Sequence, residues 1–214
     1  MATSLTLPAL ERLWVSRTDV RIIAGVAAAA TTISLLVLAA DRFWGVDHYD
    51  LVRDPNAIAN NPGYFGLVSN LGIVLWIAGA VCALQAHAAF GRNRSSHLGA
   101  ALFFGGSFAA VMGLDDLFML HEAIATTGIP ELVVLVPHAL LLATLAYHAW
   151  FIRLATPWIL LAASVAAFGL SMAVDVYPVA FGGQVFIEES VKLLGIMLLT
   201  AYLVMTSRQA LRSL

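Results

Sequence analysis

Chemistry in this chain concentrates in one stretch, Gly113-Leu114-Asp115-Asp116-Leu117-Phe118-Met119-Leu120-His121-Glu122. It follows Leu98 to Met112, a run with no Asp, Glu, Lys or Arg that is apolar enough to lie in hydrocarbon. Each carboxylate carried into a bilayer costs roughly 2.5–3.5 kcal/mol on insertion scales. Acids are therefore kept there only where something offsets them. Further polar residues sit in other apolar runs: His138 after Pro137, Ser69-Asn70, and Glu188-Glu189 followed by Lys192. Asp115, Asp116, Glu122, Glu188 and Glu189 against Lys192 leave several negative charges in excess. Protonation, water access or a bound cation would relieve that excess. His121 and His138 at the same level favour a cation, because carboxylate plus imidazole is a common ligand set for Zn, Fe or Mn.

These residues must be positioned by helices. The chain has 214 residues, 61% hydrophobic and 11% charged, where a soluble domain carries about 25% charged residues. A soluble domain and a disordered chain are both excluded, and a net charge of −2 without a basic run makes nucleic acid an unsuitable partner. The single cysteine, Cys82, allows no intrachain disulfide and no cysteine-based metal site. Six segments, about 22–40, 64–86, 98–123, 132–152, 158–174 and 185–205, meet the need for ~20 mainly apolar residues per span. None alternates as a barrel strand would, so the expected fold is an all-α polytopic membrane helical bundle forming one domain over 1–214.

Arg12, Arg17 and Arg21 precede the first segment; Arg92 and Arg94 follow the second; Arg153 follows the fourth; Arg208 and Arg212 follow the sixth. Across the membrane stand only Arg42 and Arg53, diluted by Asp41, Asp47, Asp50 and Asp54. The positive-inside rule then puts both termini in the cytoplasm. With ~1.5 Å of rise per residue, Asp115 and Asp116 lie roughly 12 Å below the outer surface, His138 about 10 Å and Glu188-Glu189 about 6–9 Å. Their depths match, while the inner halves of the same segments look nearly free of polar residues. Asp115 and Glu122, seven apart, would share a face of one continuous helix. Lys192 stands three and four residues after Glu189 and Glu188, the order favoured for an ion pair within one helix.

The expected site has Asp115, His121, Glu122, His138 and Glu188 as candidate metal ligands, with Asp116, Glu189 and Lys192 as candidate catalytic groups. A divalent Zn, Fe or Mn would activate water, and a remaining carboxylate would act as general base. The expected activity is metal-dependent hydrolysis of a membrane lipid or amphiphile at the outer leaflet. Two alternatives use the same acids: a proton or cation transporter, and a carboxylate-bridged dimetal redox protein. Trp76, mid-helix, reads as packing, and Ser171 stands one turn before Asp175 as its partner.

Three resemblances add expectations. Leu114-Asp115-Asp116-Leu117-Phe118-Met119 resembles a segment of alkaline ceramidases and the wider superfamily that includes adiponectin-receptor-like membrane hydrolases, which implies a zinc hydrolase acting on lipid. That superfamily has seven helices and a histidine pair on the last one, where this chain has glutamates. Glu188-Glu189-Ser190-Val191-Lys192 is similar to the Glu-Glu-x-x-Lys signature of intramembrane proteases related to prenyl-protein peptidases. The order Leu-Asp-Asp, His-Glu and then Glu-Glu also resembles small bacterial membrane proteins of no assigned function, which implies a multi-pass protein of the bacterial inner (plasma) membrane. A homo-oligomer is compatible with so small a chain.

Overall fold

The computed structural model describes residues 17–52, 55–90, 96–129, 131–176 and 184–212. Its regular elements are all α-helices, and it divides into two compact units, Met1–Phe65 and Gly66–Leu214. Three helices, Leu67–Ala89, His97–Phe118 and Gln184–Arg212, are long and apolar enough to cross a membrane.

In the first unit, α1 (Arg17–Trp44) is followed by two short helices, α2 (His48–Val52) and α3 (Pro55–Ile58). The connection that reads as turns in the sequence is thus partly helical. Gly45 turns the chain at φ +68°, which costs glycine little because it has no Cβ. The turn is tied by His48 Nδ1, 2.6 Å from Asp41 Oδ2. Asn56 Nδ2 donates to the Phe65 carbonyl at 3.2 Å.

The second unit contains α4 (Leu67–Ala89), α5 (His97–Phe118), α6 (Leu120–Ala125), α7 (Glu131–Phe151), α8 (Trp158–Val176) and α9 (Gln184–Arg212). Helix α5 starts on Ser96, whose hydroxyl accepts from the Gly99 N–H at 3.1 Å, satisfying one of the donors a helix start leaves open. The packing order runs α7, α5, α4, α9, α8, and α7 and α8 touch only sparingly. The core is a stripe of small and aromatic residues, with Trp76, Ala80 and Ala83 on α4 against Leu199, Tyr202 and Leu203 on α9. The opposite faces expose Leu67, Leu71, Val74 and Val81. Apolar residues outward and small residues inward suit helices that associate in lipid by close packing, where no hydrophobic force draws them together.

The expected continuous helix 98–123 is broken. Helix α5 ends at Met119, a non-glycine residue in the left-handed region at φ 48° and ψ 45°, and α6 begins one residue later. Asp115 and Glu122, expected on one face of a continuous helix, therefore belong to two helices. The other segments keep their places with shifted ends: α1 begins at Arg17 and α9 runs on to Arg212.

Candidate functional site

The break at Met119 creates the first part of the site. Asp115 is one turn before the end of α5, and its backbone carbonyl accepts from the Met119 N–H that caps the helix. Because Met119 turns the chain, residue 121 comes back over Asp115. Asp115 Oδ1 accepts from the His121 backbone N–H at 2.8 Å, and Oδ2 lies 2.9 Å from His121 Nδ1. His138 Nε2, on α7 just after Pro137, stands 3.5 Å from the same Oδ2. Asp115 is 3% exposed. A buried carboxylate is tolerated where such donors surround it. The contact at Nδ1 also sets the tautomer and ring orientation of His121.

Asp116 faces another neighbour. Its Oδ2 accepts from Trp76 Nε1 at 3.0 Å, and its Oδ1 lies 3.3 Å from Lys192 Nζ. Trp76 is fully buried, stacked on Phe168 at 5.6 Å and edge-on to Phe108. Two close approaches fix that stack. A Cβ at Gly113 would lie 3.0 Å from Trp76 Cβ, and one at Gly195 would lie 2.8 Å from Phe168 Cε1. Lys192, expected to pair with Glu188 or Glu189 inside α9, makes an ion pair across to Asp116 on α5.

Where α7 and α8 separate, a half-open, mainly apolar cleft of about 650 Å³ lies between α5, α6, α7, α8 and α9. Phe108, Met112, Leu142 and Phe168 line its apolar part; His121, His138, Glu188 and Lys192 line its polar part. Lys192 also borders a second cavity of about 10 Å³, shared with Ser69, Asp116 and Glu189, which has room for about one water molecule.

Of the eight sequence-derived site residues, the cleft therefore gathers His121, His138, Glu188 and Lys192, with Asp115 directly behind the two histidines. Asp116 and Glu189 sit at the small cavity on the other side of Lys192. The Glu122 side chain lies outside the described residues. Among the described residues no group of three or more His, Cys, Asp or Glu side chains could hold a metal ion. The metal expectation accordingly rests on the sequence alone, on its excess of acids beside His121 and His138.

Trp76 packs in the core as its mid-helix position suggests, and adds a hydrogen bond to Asp116. Its mid-helix position was itself the signal, because a buried indole N–H needs an acceptor. Ser171 Oγ donates to the Glu188 carbonyl at 3.2 Å, tying α8 to α9; the Asp175 side chain, to which the sequence pointed, lies outside the described residues. The inner halves are less clean than they read. Ser164 Oγ donates to the Gly195 carbonyl at 2.7 Å and Thr200 Oγ1 to the Leu75 carbonyl at 3.0 Å. Both hydroxyls are spent on backbone carbonyls of a neighbouring helix. Near the start of α5, His97 Nδ1 stands 3.0 Å from His148 Nδ1 of α7, and His87 Nδ1 lies 2.8 Å from the Gly99 carbonyl.

No curated protein and no solved structure matches the chain. Residues 14–206 match the family model described as Domain of unknown function (DUF8692), and the chain belongs to that family.

Proposed function

We propose that the protein is an integral membrane enzyme of six helical spans, with both ends cytoplasmic, that hydrolyses an amphiphile held in the cleft. The observation that carries this reading is the Asp115–His121 pair at the polar end of an apolar cleft. A concave apolar pocket with a few converging polar groups is the usual form of a small-molecule site, and a carboxylate holding imidazole Nδ1 is the usual preparation of a histidine base.

The roles follow from the geometry. Asp115 orients His121 and offsets the charge it gains as a base. Nε2 is then the edge of His121 that exchanges a proton with the reacting groups. Water adds to the ester or amide carbonyl and gives its proton to His121; the carbon–oxygen or carbon–nitrogen bond then breaks, and His121 returns the proton to the leaving group. Lys192, which borders the cleft, is placed to favour the negative oxygen of the intermediate. Asp116 is not the base, since both its oxygens are engaged by Trp76 and Lys192.

Transport by the same acids has less support. The Ser164 and Thr200 hydroxyls donate to backbone carbonyls of neighbouring helices rather than to one another.

The test is turnover of a panel of long-chain esters and amides by the purified chain in nanodiscs, with elemental analysis of the same sample. Asp115→Asn and His121→Gln should each lower the rate by about 10²–10⁴-fold, the usual worth of a general base. Unchanged rates in both variants overturn the reading. Stoichiometric Zn, Fe or Mn together with loss of rate on chelation moves the chemistry to a metal.

A further inference from the structure

We infer that the water consumed in the reaction is held in the small cavity between Ser69, Asp116, Glu189 and Lys192, and passes Lys192 to reach the cleft. It arrives from the side opposite the amphiphile. The inference deepens the proposed function and rests on its reading of the cleft as a hydrolytic site.

Hydrolysis in the cleft needs a water that the cleft walls do not favour. Phe108, Met112, Leu135, Leu142 and Phe168 line it, and a substrate closing against such walls expels water from the site. The packing order α7, α5, α4, α9, α8 leaves α7 and α8 as the loosely joined side of the cleft. An amphiphile entering there from lipid fills the approach that water would otherwise take.

The small cavity lies across the α5–α9 contact, where α4 closes the other side. Ser69 and Gly72 of α4, Asp116 of α5, and Glu189 and Lys192 of α9 line it. Its volume of about 10 Å³ suits about one water, and a buried water is stable with roughly 2–4 polar partners. A hydroxyl, two carboxyl groups and an ammonium border it, so the hydrogens and the lone pairs of a water both have partners there. Gly72 lets α4 and α9 come together beside it, since a Cβ would lie 3.1 Å from Ile196 Cδ1. Ser69 stands in the first turn of α4 and is exposed, at the end of the helix that six spans put at the outer surface. The cavity is placed to refill from the aqueous phase.

Lys192 borders both spaces. Its Nζ lies 3.3 Å from Asp116 Oδ1, and an ammonium has three N–H donors. It therefore keeps Asp116 and still has donors for a water on either side. Its flexible four-carbon stem lets the amine shift between the two spaces. Glu189 positions the water, while His121 remains the base.

The experiment uses the full chain in phosphatidylcholine nanodiscs. Bound water is read by hydroxyl-radical labelling and mass spectrometry, in which water radiolysed beside a side chain oxidises it. Leu193 and Ile196 line the cavity, and Ile196 is 2% exposed, out of reach of bulk solvent. Both should be labelled in the wild type, and Ser69→Leu, which fills the cavity from an exposed position, should lose most of the label. Turnover of a long-chain ester is followed in the same samples, with 1-hexanol in the bilayer as a competing nucleophile that arrives with the amphiphile. Ser69→Leu should lower kcat for hydrolysis about 10-fold or more at unchanged KM, the pattern of a contribution made only in the transition state. Ester formation with hexanol should stay at the wild-type rate. Ser69→Ala, which keeps the space open, should retain most of the hydrolysis. Hydrolysis and alcoholysis falling together in Ser69→Leu overturn the inference. If Ser69→Leu does not fold, Glu189→Leu takes its place as the blocking variant, and a wild type without label at Ile196 overturns the inference alone. Label without any turnover in the wild type keeps the water site and removes the hydrolase. Turnover that Ser69→Leu leaves unchanged removes the water route and keeps the hydrolase.

Discussion

Asp116 and Lys192, 76 positions apart, meet at 3.3 Å between α5 and α9, and Lys192 forms part of the wall between the two cavities of the site. The pair therefore holds together the helix that carries the acids and the helix that carries the glutamates. It also fixes which carboxylate is left for chemistry. Asp116 is engaged on both oxygens by Lys192 and Trp76, so Asp115, one residue earlier, is the carboxylate that serves the histidines.

Lys192→Met should lower the thermal midpoint, and adding Asp116→Asn should recover most of the loss. Breaking a buried ion pair on one side costs about 3–5 kcal/mol, because the remaining charge is stranded, whereas removing both partners is often nearly neutral. The Lys192 side chain is 31% exposed, so the single-variant cost lies toward or below the lower end of that range. Unfolding followed by size-exclusion recovery after heating would show it. A double variant as unstable as the single one would mean that the pair is not what stabilises the α5–α9 contact.

Trp76→Phe should keep the aromatic stack and lose the hydrogen bond. The indole N–H to Asp116 is a bond to a charged group, worth about 1.5–3 kcal/mol when buried. Trp76→Phe combined with Asp116→Asn should cost less than the sum of the two single changes, which a double-mutant cycle measures directly. Strict additivity would mean that the two side chains do not interact.

Met119 should tolerate glycine and reject a β-branched residue. At φ 48° it occupies a conformation that glycine adopts freely, and a β-branched residue there is a genuine outlier. Met119→Val is expected to cost about 1–3 kcal/mol of local strain. It should also move His121 away from Asp115, visible as a loss of turnover larger than the loss of folded protein. Met119→Gly with wild-type turnover and Met119→Val without it is the expected pair of results.

Helices were legible because mean hydropathy, +0.88 over the chain, leaves little else for apolar runs of this length to form. The approach of His138 to Asp115 was legible from their matched positions along their helices. Partner choice was not. Whether Lys192 reaches Glu188 on its own helix or Asp116 on another depends on interhelical packing, which spacing within one helix does not encode. The break at Met119 carried no glycine or proline to mark it. That break is stabilised by Asp115 capping α6 through the His121 N–H, a contact that exists only once the chain has turned. The Trp76 hydrogen bond was hidden for a related reason, since its acceptor lies on the next helix, 40 positions away.

The six-span topology is tested by reporter fusions. Reporters after Asn56 and within residues 91–95 should report opposite sides of the membrane, and one within 177–183 should agree with Asn56. With six spans, Arg92, Arg94, Arg153, Arg208 and Arg212 would fall on one side, and Lys and Arg near span ends set orientation. Helices α4, α5 and α9 are each long enough to cross, and α7 and α8 contain the shorter apolar stretches Leu135–Phe151 and Trp158–Val174. If α7 and α8 do not span, a reporter in the 152–157 turn will disagree with one in 91–95. Agreement between those two positions, with 177–183 opposite, places the cleft and its acids in the outer half of the bilayer, within reach of an amphiphile entering from the side.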